Sequence, residues 1–174
     1  MSGTPKNSAS GSLPVLAVVS VIGLLVVGFI YGRGYFGKPS IASLKESALN
    51  GSSAEQQISA AQQLSELGAV DALREVLEKT TNPDVSAVCI LGVARQRDYD
   101  SMDLLLAKLD DNSENVRATA ASALTKLLGR KYHFPASGRA DERAAIKEQI
   151  VQDWNDYNGS ELFEFNKNRF KEEQ

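Results

Sequence analysis

Apolar and polar residues along most of the chain follow a helical period. Two sets of apolar residues recur three and four positions apart: Val70, Leu73, Val76 and Leu77, and then Met102, Leu105, Leu106 and Leu109. This spacing places each set on one face of a helix. Strand periodicity is absent throughout. The pattern therefore predicts an all-α fold.

The helical pattern repeats about every 30 residues. Pairs of small or apolar residues stand at 60–61, 89–90 and 120–121. Each unit divides into a first helix that carries this pair and a second helix that carries a leucine stripe. The segment 87–94, AVCILGVA, has only apolar residues and glycine, which predicts a helix covered on nearly all sides.

Residues that favour helix ends stand at the predicted boundaries. Ser53 with Gln56 forms a capping-box pattern, and Asn82 precedes a proline at the first helical position. Asp100 is a further predicted N-cap. Gly68 and Gly129 are predicted helix stops, giving ends accurate to within a few residues.

The segment LPVLAVVSVIGLLVVGFIY (13–31) contains nineteen residues without a charge. As a helix it would reach ~28 Å, close to the ~30 Å hydrocarbon core of a bilayer. The residues that follow do not form a small-residue cleavage site, so we expect an uncleaved membrane anchor. Lys6 before the span and Arg33 and Lys38 after it slightly favour a cytoplasmic carboxyl-terminal domain.

These patterns divide the chain into five parts. We expect a disordered tail (1–12), a transmembrane helix (13–32), a juxtamembrane linker (33–52), a repeat domain with a capping helix (53–158) and a carboxyl-terminal tail (159–174). The capping helix is predicted from a stripe of Ile146, Ile150, Trp154 and Tyr157.

The segment DNSENVRATAASALTKLLG (111–129) resembles the HEAT-repeat family in its short bacterial form, also seen in phycobilisome-lyase-type repeats. The likeness covers roughly 54–129, and the ending after Gly129, an aromatic loop and a Trp-bearing last helix, looks like that of uncharacterised HEAT-repeat proteins from planctomycete-type bacteria. It implies a short α-solenoid of two to three helix pairs. In the family, an Asp and an Arg six residues apart form a ladder between repeats. Asp111 and Arg117 match this pattern, but Thr80 and Ser86 of the preceding repeat do not, so we expect a structural contact within one repeat.

Charge and side-chain chemistry exclude several functions. Residues 40–174 hold all 22 Asp and Glu but only 16 of the 19 Lys and Arg, so nucleic-acid binding is disfavoured. The single histidine, His133, is expected in a loop, and the single cysteine, Cys89, in the core. The Asp clusters near residues 98–103 and 110–114 lack the spacing of a calcium loop. No nucleotide-binding or hydrolase motif is present, so we expect no enzyme, no metal, no cofactor and no small-molecule substrate.

The sequence therefore predicts a membrane-anchored scaffold or adaptor that binds a protein partner, itself membrane-associated. The candidate binding residues are the polar positions of the second helices, Asp71, Arg74, Glu75, Glu78, Asp103 and Lys108, and the terminal aromatic residues Phe163, Phe165 and Phe170. The phenylalanines either pack on the last helix or contact a partner. The alternatives are an accessory subunit of a larger membrane complex, an enzyme of unrecognised type and, on resemblance alone, a bilin-lyase-like protein.

Overall fold

The computed structural model describes residues 39–165, which belong, from Ser40 onward, to one compact unit. This range holds the following α-helices: α1 Ile41–Asn50, α2 Ala54–Glu66, α3 Val70–Lys79, α4 Pro83–Arg95, α5 Met102–Ala107, α6 Glu114–Leu128 and α7 Ala140–Asn158. Short 3-10 segments, Tyr99–Ser101 and Lys108–Asp110, flank α5, and residues 161–165 are also helical. No strand occurs between residues 39 and 165.

The predicted membrane helix (13–32) and the tail before it lie outside the described residues. Within residues 39–165, no helix is both long enough and apolar enough to cross a bilayer.

The helices form a short all-α solenoid, as the sequence predicts. The first helices of successive pairs, α2, α4 and α6, pack side by side. Among the second helices, α3 contacts both α2 and α4, α5 contacts α6 of the next pair, and α7 contacts α6 of its own pair. Three helix pairs therefore stack in chain order, and α7 covers α6 at the end of the stack.

The predicted repeat is confirmed by burial and by helix ends. The residue pairs at 60–61, 89–90 and 120–121 are all buried, and the first helices that carry them contact one another. The leucine stripes of α3 and α5 are buried too, apart from a half-buried Val70. Gly68 after α2 and Arg97 after α4 adopt left-handed φ angles of 64° and 53°. The same cap thus recurs one repeat later, with an arginine where glycine is preferred.

Most predicted caps are confirmed. Ser53 Oγ accepts the Gln56 N–H at 3.2 Å, and Asn82 Oδ1 accepts the Asp84 N–H at 3.0 Å. The Gln56 side chain reaches Ser52 instead of Ser53. The prediction for Asp100 was wrong, because a 3-10 turn begins one residue earlier, at Tyr99, with Asp98 before it.

Helix α1 occupies part of the segment assigned to a juxtamembrane linker (33–52). Leu44 and Ala48 are buried on its inner side, where it packs against α2 and α3. The Ser40 side chain accepts the Ser43 N–H at 3.1 Å and caps the helix. The folded domain therefore extends about twelve residues further toward the amino terminus than the predicted start at 53.

Helix α4 is covered on most sides, as its apolar segment 87–94 predicts, with Leu91 as the one exposed residue of that segment. Val85, Cys89 and Val93 are fully buried against its three neighbours α2, α3 and α6. The fourth side faces solvent, where Leu91 is 51% exposed. An apolar sequence allows this helix to be buried all round, but the three neighbours leave one side open.

Candidate functional site

The candidate site is the surface formed by the second helices α3 and α5 with the turns beside them, which we call the second-helix face. On α3 the candidate residues Asp71, Arg74, Glu75 and Glu78 follow one another at helical spacing. They lie opposite the buried stripe that holds α3 against α4. Their environments nevertheless differ, and the differences decide which of them a partner could reach.

Arg74 is held by the protein's own carboxylates. Its Nε lies 2.9 Å and its Nη2 3.3 Å from the two oxygens of Asp98, whose side chain is only 9% exposed. Hydrogen bonding to Asp98 raises the pKa of the Arg74 guanidinium, and the charges of Asp98, Asp71 and Asp100 add to this effect. Arg74 thus joins α3 to the turn before α5, and little of its charge remains for a partner.

Glu75 is likewise engaged within the domain. Its carboxylate accepts hydrogen bonds from Lys45 at 2.6 Å and from Lys79 at 2.7 Å. These two bonds lower the pKa of Glu75 from 4.5 to about 2. Lys45 belongs to α1, so Glu75 links that helix to the second-helix face.

Lys108 is only 17% exposed, and its Nζ lies 3.8 Å from an Asp111 carboxylate oxygen. Arg117 does contact Asp111 within one repeat, as expected, but it donates to the Asp111 carbonyl oxygen at 2.7 Å. Its Nε donates to the carbonyl of Ala136, also at 2.7 Å. Arg117 therefore fastens the loop between α6 and α7 to the start of α6.

The carboxylates that remain exposed give this face its charge. Asp71 has a side chain that is 95% exposed, and Glu78, Asp100 and Asp103 are exposed as well. Asp71 and Asp100 both act on Arg74, which places α3 and the turn before α5 side by side. Residues 39–165 contain 20 Asp and Glu against 13 Lys and Arg. The second-helix face is thus an acidic surface on an acidic domain.

An aromatic cluster closes the end of this face. Tyr99 and Trp154 stack with their ring centroids 6.3 Å apart, and Phe163 meets both rings edge-on at 5.3 and 5.6 Å. Tyr157 completes the cluster, which joins the turn before α5 to α7 and to the residues after it.

The terminal phenylalanines have different environments. Phe163 is only 3% exposed, so it packs against α7 within the segment assigned to a tail (159–174). Phe165 is 62% exposed, and Phe170 lies outside the described residues.

A pocket of about 440 Å³ opens where the acidic face meets the aromatic cluster. It is lined by Tyr99, Asp100, Met102, Asp103, Trp154, Asn155, Asn158 and Phe163. Of these, only Asp103 and Phe163 were candidate residues from the sequence. Periodicity placed Trp154 on the inner side of α7 but gave no means of placing it beside Asp100, because the two stand more than fifty residues apart in the sequence.

Residues with catalytic or metal-binding chemistry are dispersed in the described part of the chain. Cys89 is fully buried, and burial raises the pKa of its thiol from 9.0 to about 12. His133 is exposed in the loop between α6 and α7. Among residues 39–165, no three His, Cys, Asp or Glu side chains meet in a way that could hold a metal ion.

Comparison with protein families gives one match. A model described as HEAT repeats matches residues 70–156, half of the chain. The chain belongs to the HEAT-repeat family. The match runs from the first residue of α3 almost to the end of α7, so it includes the loop and last helix that the sequence resemblance (54–129) had left out.

No curated protein and no solved structure matches this HEAT-repeat chain. HEAT repeats are typical of scaffolds for protein–protein interaction, because stacked helix pairs present long continuous surfaces. The family thus indicates a protein-binding role in general terms, and the partner has to be inferred from the surface itself.

Proposed function

We propose that the protein is a HEAT-repeat scaffold or adaptor that binds a basic segment of a partner protein on the second-helix face. The observation that carries this proposal is the set of exposed carboxylates Asp71, Glu78, Asp100 and Asp103. Opposite charge raises the rate of encounter and selects against acidic partners. Three of the binding positions inferred from the sequence are left out of this set. Arg74, Glu75 and Lys108 are largely engaged by neighbouring side chains, so a partner could not pair with them readily.

The proposal includes anchoring by the predicted helix 13–32, which would confine the scaffold to a membrane. Its partner would then be membrane-associated too, because tethering both proteins raises their effective concentration. We place the repeat domain on the cytoplasmic side and assign the protein no catalytic activity. Retention in the membrane pellet after alkaline carbonate extraction supports the anchor, whereas release into the supernatant rejects it.

The binding test uses the full-length chain in mild detergent and a fluorescent hexalysine peptide, with affinity measured by anisotropy. A surface ion pair contributes about 0.2–1 kcal/mol, so the double variant Asp71→Asn/Glu78→Gln, which removes two carboxylates, should weaken binding by about two- to thirtyfold. The matched control, Glu66→Gln/Glu114→Gln, removes two exposed carboxylates from the first helices and should bind like the unaltered chain. Equal weakening by both pairs would mean that only net charge matters, and would reject a defined binding face.

A second role, as a fixed accessory subunit of a larger membrane complex, is favoured by a different surface. Between α2 and α4, Leu91 and Val88 line a groove together with Gln62, Glu66 and Arg95. Permanent interfaces are more hydrophobic than transient ones, and Leu91 is 51% exposed in this groove. Mass analysis after gentle detergent purification distinguishes the roles, because a fixed subunit retains partners in constant ratio and an adaptor does not.

A further inference from the structure

We propose that the pocket between the turn before α5 and α7 receives a single arginine side chain from the partner. This inference rests on the proposed function, which it refines by naming the group that is recognised. The pocket volume, about 440 Å³, lies within the range of small-molecule sites and leaves room for an arginine side chain. Its lining combines carboxylates with aromatic rings, and each contributes differently to the recognition of a cation.

The carboxylates supply charge. Asp100 and Asp103 both line the pocket, and both are exposed to solvent. Within residues 39–165, Asp103 forms no ion pair, so an incoming cation would displace only water there. A charge-assisted hydrogen bond is shorter and about twice as strong as a neutral one.

The aromatic rings shape the pocket. Trp154 and Tyr99 stand at the inner wall with 8% and 9% of their surface accessible, and Phe163 packs edge-on against both. The groups that face an incoming cation are therefore mainly polar. A guanidinium group presents five N–H donors in a planar fork, whereas the ammonium of lysine has three donors on one nitrogen. A lining with several oxygen acceptors therefore favours arginine over lysine.

The amides complete the set of acceptors. Asn155 and Asn158 line the pocket from α7, and their side-chain oxygens can accept the N–H groups that the carboxylates leave free. Ring packing holds α7 against Tyr99, and the Tyr99 hydroxyl donates to the Leu127 carbonyl of α6 at 3.4 Å. A site held in this way loses little freedom on binding, which improves affinity.

The test exploits Trp154, the only tryptophan in the chain. The full-length protein in mild detergent is titrated with the peptide acetyl-Gly-Arg-Gly-amide while tryptophan emission and the single indole N–H resonance are followed. We expect a saturable change with a dissociation constant of about 1 mM, the weak range appropriate to one side chain. The lysine peptide should bind at least fivefold more weakly. The neutral isostere citrulline should give no saturable change.

The variant Asp103→Asn should weaken arginine binding at least fivefold, whereas Glu66→Gln, which removes an exposed carboxylate of α2 outside the second-helix face, should leave it unchanged. Circular dichroism confirms that both variants are folded. The proposal is overturned if the arginine peptide gives no saturable change, if citrulline binds equally well, or if both variants bind like the unaltered chain. The hexalysine assay distinguishes failure of the pocket from failure of the whole face. If hexalysine binds but the arginine peptide gives no response, only the pocket is rejected. If neither peptide binds, the second-helix face is rejected as well.

Discussion

The Arg74–Asp98 pair allows a stability prediction that can be worked from the contacts themselves. Asp98 precedes the 3-10 turn and receives three hydrogen bonds: two from the Arg74 guanidinium and one from the Ser101 hydroxyl. Ser101 is fully buried, and Arg74 has about a third of its side chain exposed. The substitution Asp98→Ala removes all three acceptor contacts without adding bulk.

The expected cost has two parts. A buried hydroxyl that loses its partner costs about 1–3 kcal/mol. Arg74 would be partly rehydrated by solvent, so the lost ion pair adds only about 1 kcal/mol. We therefore expect Asp98→Ala to lower the free energy of unfolding by about 2–4 kcal/mol. The added change Ser101→Ala removes the unpaired hydroxyl and should recover about 1 kcal/mol.

Urea unfolding followed by far-UV circular dichroism measures these differences in the free energy of unfolding. The dependence of that free energy on urea concentration should be the same for all variants. The matched control is Asp71→Ala, which removes the other carboxylate near Arg74, at 3.3 Å and 95% exposed. A surface ion pair and a first-turn carboxylate are together worth about 0.5–2 kcal/mol, and the exposure of Asp71 favours the lower end of that range. If Asp98→Ala costs no more than Asp71→Ala, the buried pair does not hold α3 to the turn before α5 and the reasoning fails.

Three further predictions concern other contacts. Because the pKa of Glu75 falls from 4.5 to about 2, its stabilising effect is complete above about pH 5 and is lost as the pH falls toward 2. The urea midpoint should therefore drop more in acid for the unaltered chain than for Glu75→Gln, and parallel curves would contradict this. Cys89 should react with a thiol reagent only on unfolding, while Leu91→Cys in a Cys89→Ala background should react at once. Gly92→Ala should destabilise the domain although alanine has the better helix propensity, because the added Cβ would lie 2.9 Å from Ser65 Oγ. Calorimetry should show a lower melting temperature for this variant, and the second change Ser65→Ala should restore part of it.

The elements that could be predicted from the sequence are those with a signal in nearby residues. The stripes of α3 and α5 and the caps at Ser53 and Asn82 depend on positions within a few residues of one another. Burial of these stripes follows from the hydrophobic effect, and the positions of these caps follow from local hydrogen bonds. Helix α1 was missed because only Leu44 and Ala48 on it are buried, which is too short a stripe to recognise.

The candidate site was harder to predict because it depends on distant contacts. Arg74 and Glu75 occupy the outer side of α3 as expected, but Asp98 and Lys45, 24 and 30 residues away, engage both of them. Helical periodicity shows which side of a helix a residue lies on and says nothing about what lies opposite. The predicted structural role of Asp111 and Arg117 was confirmed, although the acceptor is a backbone oxygen, which no side-chain pattern can reveal.

The aromatic cluster has a consequence for synthesis of the chain. A nascent chain that has emerged only as far as α6 already carries Asp100 and Asp103, but Trp154, Asn155 and Phe163 are still to come. Such a chain presents negative charge without the wall of the pocket. A partner that requires an enclosed arginine would therefore distinguish finished molecules from unfinished or truncated ones, so that assembly itself would serve as quality control.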